Sequence, residues 1–221
     1  MRTGRLEAFS DGVLAIIITV MVLELREPAG RTLSHLWHST GVGLLTYLLS
    51  FVYIGIYWTN HHHMFQLTER VTGGILWANL GLLFCLSLYP FTTNWMDTTT
   101  LATTPVVVYG INLLAAGIAY WILQGVIIRS QGPGSIMRRA VGRDFKGRGS
   151  MVGYVIACVV AAVAGDGPGR IGIWIAVALF IAVAALWVIP DRRIETVVVS
   201  DLVHDHGSAT DDSEDPAEPG R

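Results

Sequence analysis

Charge is scarce in this sequence. Only 14% of its 221 residues are Asp, Glu, Lys or Arg, whereas 52% are hydrophobic and the mean hydropathy is +0.51. An average soluble domain carries roughly 25% charged residues, so this composition excludes a water-soluble globule. It also excludes a disordered chain, which needs low hydrophobicity and a high net charge. The composition therefore indicates a protein that spans a membrane several times.

Cysteine is rare as well. Cys85 and Cys158 are the only two, and because each lies in an apolar run we interpret them as small buried hydrophobic residues rather than a disulfide. No metal site is expected. The histidines at 61–63 cannot all reach one ion, because neighbouring residues on a helix point about 100° apart. His35 and His38, in the loop between the first two apolar segments, lack a Cys or carboxylate cluster beside them.

The few charges are unevenly distributed along the chain. Residues 1–190 contain 12 Lys and Arg and 8 Asp and Glu, whereas residues 191–221 contain 3 and 9. We predict two parts: a transmembrane domain over 1–190 and a cytoplasmic acidic tail over 191–221. The tail is rich in Asp, Glu, Ser, Gly and Pro and cannot bury a core, so it is predicted to be mostly disordered.

Six apolar segments occupy the first part. They run from about 9 to 25, 41 to 60, 74 to 95, 105 to 128, 151 to 164 and 171 to 189. A helix needs about 20 residues to cross a hydrocarbon core about 30 Å thick. The first and fifth segments are short and must lie inside the bundle or use polar flanks. Because backbone polar groups in lipid must be satisfied within each segment, the predicted fold class is all-α with six transmembrane helices.

Lysine and arginine in short loops predict the orientation. Of the 15, 12 fall at the two termini and in the loops on that side, and three, Arg26, Arg31 and Arg170, fall on the other. Both termini are therefore predicted to be cytoplasmic. The first segment is expected to be retained as a helix, because Glu24, Arg26 and Glu27 follow it where a signal-peptide cleavage site would need small residues.

The first apolar segment opens with an unusual run, RLEAFSDG at residues 5–12. A carboxylate at the bilayer centre costs roughly 2.5–3.5 kcal/mol, so Asp11 should face protein or water. A first-turn acid favoured by the helix dipole is the other interpretation. At helical spacing one face carries a stripe of mostly apolar residues, with Thr19 beside it. The stripe consists of Arg5, Phe9, Gly12, Ile16, Val20 and Leu23. Such a stripe usually contacts the protein core or lipid.

The second apolar segment ends in Trp58 and the histidines at 61–63. With the predicted orientation, this end lies at the same membrane depth as Arg5, Ser10 and Asp11. Ionisable groups inside a membrane domain tend to pair, so we predict a hydrogen-bond network between the two clusters, which should lie within about 10 Å of each other.

The sequence resembles the bacterial branch of the transmembrane protein 175 (TMEM175) family in three features. These are the motif R-x-x-x-F-S-D-G at 5–12, the motif W-x-x-H-H at 58–62, and the six predicted helices. Members of this family are potassium-permeable cation channels, and the resemblance covers about residues 3–190. It implies a homotetramer in the bacterial inner (plasma) membrane, with a central pore lined by the first helix. It also implies potassium as the permeant ion, and no cofactor, enzymatic activity or nucleic-acid partner.

The resemblance also implies roles for individual residues. The constriction position falls on Ile16, the next turns add Val20 and Leu23, and Thr19 matches a hydroxyl position that affects cation preference. Val20 stands where a larger Leu is common in the family. Rings of branched apolar side chains can close a pore by dewetting, and neither the family nor this sequence has a T-V-G-Y-G filter loop. The network that braces the first helix would comprise Arg5, Phe9, Ser10, Asp11 and Trp58, with His61 or His62.

Other functional classes remain as alternatives. A secondary transporter or proton carrier would need ionisable residues at mid-membrane or broken helices. Asn79 and Asn112 are the strongly polar mid-helix residues, and neither titrates. A membrane enzyme using the histidines would need a nucleophile–base pair or a metal set, which the sequence lacks. A structural scaffold would pass no ions. The resemblance to the TMEM175 family therefore favours a potassium channel over these alternatives, whereas composition and topology alone indicate only a six-helix membrane protein.

Overall fold

The structure is a computed structural model that describes residues 3–28, 30–132, 137–138 and 145–188. Every regular element within these ranges is helical, which confirms the predicted all-α fold. The helices are α1 (Thr3–Leu23), α2 (Leu33–Gln66), α3 (Gly73–Ser87), α4 (Tyr89–Thr98), α5 (Thr103–Gln131), α6 (Phe145–Ala164) and α7 (Ile171–Val188). The predicted acidic tail, residues 191–221, lies outside the described residues.

Six helical segments of the described chain are long and apolar enough to cross a bilayer. The third is formed by α3 and α4 together, and the sixth by α7 with a 3₁₀ turn at Pro168–Arg170. The first and fifth segments, whose apolar parts are short, form longer helices in the structure: α1 begins at Thr3 and α6 at Phe145. Polar flanking residues thus extend the apolar parts to spanning length, and the protein is a multi-pass membrane protein.

The longest helix, α2, has 34 residues. At 1.5 Å per residue it is about 51 Å long, well beyond a 30 Å hydrocarbon core. It begins at Leu33, earlier than the predicted start at 41, because Thr32 caps it: the Thr32 hydroxyl accepts a hydrogen bond from the backbone N–H of His35 at 3.3 Å. His35 and His38 therefore lie on the first turns of α2, and their predicted placement in a loop is wrong.

The third span is not the continuous segment predicted from 74 to 95. Pro90 lacks an N–H, and its ring collides with the carbonyl of the residue four positions earlier in a regular helix. Consequently α3 ends at Ser87 and α4 begins at Tyr89, with Leu88 between them. The continuous span was predicted from apolar length alone, which does not take the effect of Pro90 on a helix into account.

Helix α1 packs along one side of the bundle, against α2, α3 and α4. Its buried residues recur every three or four positions, which gives a single stripe on one helical face. They are Leu6, Ser10, Leu14, Ile17 and Met21. The opposite face, which includes Ile16, is exposed on the subunit.

Helices α5, α6 and α7 form the other side of the bundle and approach closely at Gly110. A Cβ atom built on Gly110 would lie 2.5 Å from Cys158 Sγ and 2.8 Å from Phe180 Cζ. Cys85 and Cys158 are free thiols, and both are half-buried rather than fully buried as predicted. The close approach means that this position has no room for a side chain.

We expect Gly110→Ala to destabilise the protein. The added methyl group overpacks the α5–α6–α7 contact, and after the gain in helix propensity the net loss is on the order of 1 kcal/mol. Gly125→Ala on the same helix is the matched control, because its Cβ would meet nothing within 4 Å, and it should raise stability. Thermal unfolding midpoints in detergent measure both. Equal shifts for the two variants would contradict the packing described.

Candidate functional site

Three buried polar side chains connect α1 to α3 and α2. Ser10 and Asn79 are both 0% exposed and His61 is 2% exposed. Asn79 Nδ2 donates to Ser10 Oγ at 2.9 Å, and His61 Nε2 lies 2.8 Å from Asn79 Oδ1. The amide oxygen can only accept, so the imidazole donates from Nε2. Ser10 Oγ in turn donates to the carbonyl of Leu6 at 2.9 Å. The result is a continuous hydrogen-bonded chain across three helices.

Two further links attach α1 to the end of α2. Trp58 Nε1 donates to Asp11 Oδ1 at 3.1 Å. His62 Nδ1 lies 2.5 Å from Glu7 Oε1, and Gln66 Nε2 lies 2.8 Å from His62 Nε2. Because the Gln66 amide nitrogen can only donate, His62 accepts at Nε2 and carries its proton on Nδ1, toward Glu7. Helix α1 is thus held to α2 on two successive turns.

The C-terminal end of α1 has its own polar attachment. Asn94 Nδ2, on α4, donates to Glu24 Oε2 at 2.6 Å, just beyond the last residue of α1. Together with the links at Glu7, Ser10 and Asp11, this bond holds α1 near both ends. The segment between the two attachments is held by apolar packing of its buried stripe alone.

The predicted network residues are only partly brought together. The structure places five of them in hydrogen bonds between helices: Ser10, Asp11, Trp58, His61 and His62. Arg5 and Phe9 are exposed, and within the described part of the chain Arg5 makes no hydrogen bond or ion pair. They lie on the face of α1 that is turned away from Asn79.

Sequence reasoning missed Glu7 and Asn79. A signal existed for each: Glu7 lies one helical turn before Asp11, and Asn79 is a lone amide in an apolar helix. Asn112, the other mid-helix amide, is 6% exposed, and its Nδ2 is among the buried polar atoms that find no partner in the described structure. Within the same residues, no group of three or more His, Cys, Asp or Glu could hold a metal ion.

The remaining site residues lie on the exposed face of α1. Ile16 is 64% exposed, Leu23 82% and Val20 38%. Thr19 is also exposed, and its hydroxyl donates to the carbonyl of Ile16 at 2.9 Å. These side chains contact little of their own subunit, so in a membrane they must contact lipid, another protein chain or a water-filled space.

A family model and several known proteins are similar to this chain. Residues 5–90 match the family model described as endosomal/lysosomal potassium channel TMEM175. A protein of Chryseobacterium sp. (strain P1-3), described as a potassium channel, is 48% identical over 198 residues, which cover 88% of this chain and 97% of that protein. The human endosomal/lysosomal proton channel TMEM175 is 34% identical over 95 residues, covering 38% of this chain and 18% of that protein.

The fold is also that of a solved relative. The crystal structure of a TMEM175 homolog from Chamaesiphon minutus, described as a lysosomal potassium-selective channel homolog, matches with a TM-score of 0.66. The two sequences are 27% identical, and the match covers 84% of this chain and 96% of the other. Taken with the near full-length match to the Chryseobacterium protein, this similarity shows that the chain belongs to the TMEM175 potassium-channel family.

Proposed function

We propose that the protein is a potassium-permeable cation channel of the bacterial inner membrane, and that it works as a homotetramer. The observation that carries the proposal is the two-sided character of α1. One face is packed and hydrogen-bonded into the subunit, and the other presents branched apolar side chains, with Ile16 64% exposed. Four such helices around a common axis would place these side chains in a central pore.

Ile16, Val20 and Leu23 would form successive rings along that pore. A narrow ring of aliphatic side chains excludes water, and an ion cannot pass a dewetted constriction. Rotation or splaying of α1 would widen the rings and admit water. An apolar ring does not replace the hydration shell of an ion, so the selectivity for potassium should be weaker than that of a carbonyl filter. Thr19 places a polar hydroxyl beside the constriction and would influence cation preference.

The polar links of α1 would set the resting position of the pore helix. Ser10, Asp11 and Glu7 attach its first half to α2 and α3, and Glu24 attaches its outer end to α4. A rotation of α1 must break or rearrange some of these bonds, so the network would bear directly on gating. Both termini would be cytoplasmic, and the protein would act without cofactor or enzymatic activity.

A secondary transporter or proton carrier is the second candidate. One observation favours it: the third span is broken at Leu88, and transporters often use broken helices. Against it, Asn79, a mid-membrane amide, is already committed to the link between Ser10 and His61.

Single-channel recording in planar bilayers separates the two candidates. We expect discrete openings whose potassium current rises with voltage and requires no coupled ion. A transporter would give no unitary currents, and its flux would saturate and depend on a coupled ion.

We expect Ile16→Asn to raise potassium flux several-fold in reconstituted liposomes, because amide groups at the constriction would hold water in it. Val159→Asn on α6 is the matched control: Val159 is also an exposed apolar residue of a spanning helix, and its substitution should not raise flux. If Ile16 instead contacts lipid, Ile16→Asn will impair membrane insertion and give no added current.

We expect Asn79→Leu to destabilise the protein by about 1–3 kcal/mol, because it leaves Ser10 and His61 without their shared partner. The same change should alter the open probability of the channel, since it releases α1. Asn112→Leu is the control: the Asn112 amide nitrogen has no partner to lose, so the cost should be small. Unfolding midpoints and single-channel records measure the two effects, and equal destabilisation by both variants would contradict the role given to Asn79.

A further inference from the structure

A narrow cavity lies inside the subunit, away from the exposed face of α1. It is formed between α2, α5, α6 and α7, has an accessible volume of about 50 Å³ and is partly open to the surroundings. Aromatic rings make up much of its wall: Tyr53, Tyr57, Tyr120, Trp121, Tyr154 and Trp187. The potassium pathway proposed above does not use this space.

The hydroxyl of Tyr57 is the unusual feature of the cavity. The side chain is 9% exposed, and among the described residues its hydroxyl has no hydrogen-bond partner. A Cβ atom built on Gly117, across the cavity on α5, would lie 3.9 Å from this hydroxyl oxygen. The oxygen therefore points into the cavity, next to a position where α5 has no side chain.

Other polar groups of the cavity wall are already paired within the protein. Tyr53 donates to the carbonyl of Phe180 at 2.7 Å, and Trp187 Nε1 donates to Ser150 Oγ at 2.8 Å. Asn60 Nδ2 donates to a carbonyl of its own helix at 2.8 Å. The Tyr57 hydroxyl has no such partner, and it is not among the buried unpaired atoms of the described chain, so it is accessible from the cavity.

The chemistry of the wall selects the kind of ligand. None of the described lining residues is charged, so a charged ligand would lose its hydration without gaining a counter-ion. Aromatic walls favour an apolar body. Trp121, which is 51% exposed, stands at the edge of the cavity on the surface of the subunit.

We propose that this cavity binds an uncharged amphiphile with an apolar body and one oxygen that accepts a hydrogen bond from Tyr57. The oxygen end of the ligand lies between the aromatic side chains of α2, α5 and α6, and its apolar body extends through the open side, because the accessible volume is only about 50 Å³. This binding site lies apart from the exposed face of α1 that the proposed pore uses.

Photolabelling of the full-length protein in lipid nanodiscs tests the proposal. The probe is octanol carrying a diazirine group, which supplies the apolar body and the single oxygen. We expect saturable labelling of residues lining the cavity, identified by mass spectrometry and suppressed by excess unlabelled octanol. Labelling that grows in proportion to probe concentration, or that falls only on outward-facing side chains, would overturn the proposal, and the cavity would then hold only water.

Two substitutions on α5 form a matched pair. Gly117→Leu fills the cavity opposite Tyr57 and should abolish saturable labelling. Gly125→Leu lies two turns further along the same helix, where a Cβ would meet nothing within 4 Å, and it should leave labelling unchanged. Equal labelling of the two variants would contradict the assignment.

Tyr57→Phe provides a test that does not depend on how Gly117→Leu folds. It keeps the ring and removes only the hydroxyl, so the fold is retained. Loss of one neutral hydrogen bond should raise the half-saturating probe concentration by about 2- to 10-fold. An unchanged concentration would show that the hydroxyl does not contact the ligand and would overturn the proposed binding mode.

Discussion

The hydrogen-bonded chain from Ser10 through Asn79 to His61 is the constraint on which the arrangement of α1 depends. The membrane interior supplies no water to satisfy a polar group, so each of these side chains must find its partner in the protein. A rotation of α1 by one residue, about 100°, would turn Ser10 away from Asn79 and leave buried groups unpaired. These hydrogen bonds therefore fix which face of α1 is buried. The face that carries Ile16 is then left exposed on the subunit.

Helix α1 is held differently from the rest of the subunit. Helices α5, α6 and α7 pack through small residues, and the backbones come so close that a Cβ on Gly172 would lie 2.5 Å from the backbone of Ala164. Helix α1 depends more on discrete polar bonds, including those of Asp11 and Glu24. The two sides of the bundle therefore differ in what holds them: close backbone packing on one side, and a few hydrogen bonds with an apolar stripe on the other.

Much of this architecture could be predicted from the sequence. Apolar length gave the number of spans, and loop charges together with helix direction placed the Asp11 and Trp58 clusters at one depth, where the structure joins them by a hydrogen bond. Asn79 and Glu7 could not be placed in this way. The membrane depth of a residue can be predicted from its own span. Which span lies beside α1, however, depends on how all six spans pack together. The same limit explains why Arg5, at the right depth, lies on the wrong side of the helix to join the network.

The sequence by itself determined the all-α class, the six spans and the stripe that carries Ile16, because hydrophobic length and helical periodicity are properties of a single segment. Only the tertiary structure decided that this stripe is exposed and that Tyr57 faces an unfilled space. Each of these depends on which side chains from other helices arrive at the same place, and no single segment contains that information.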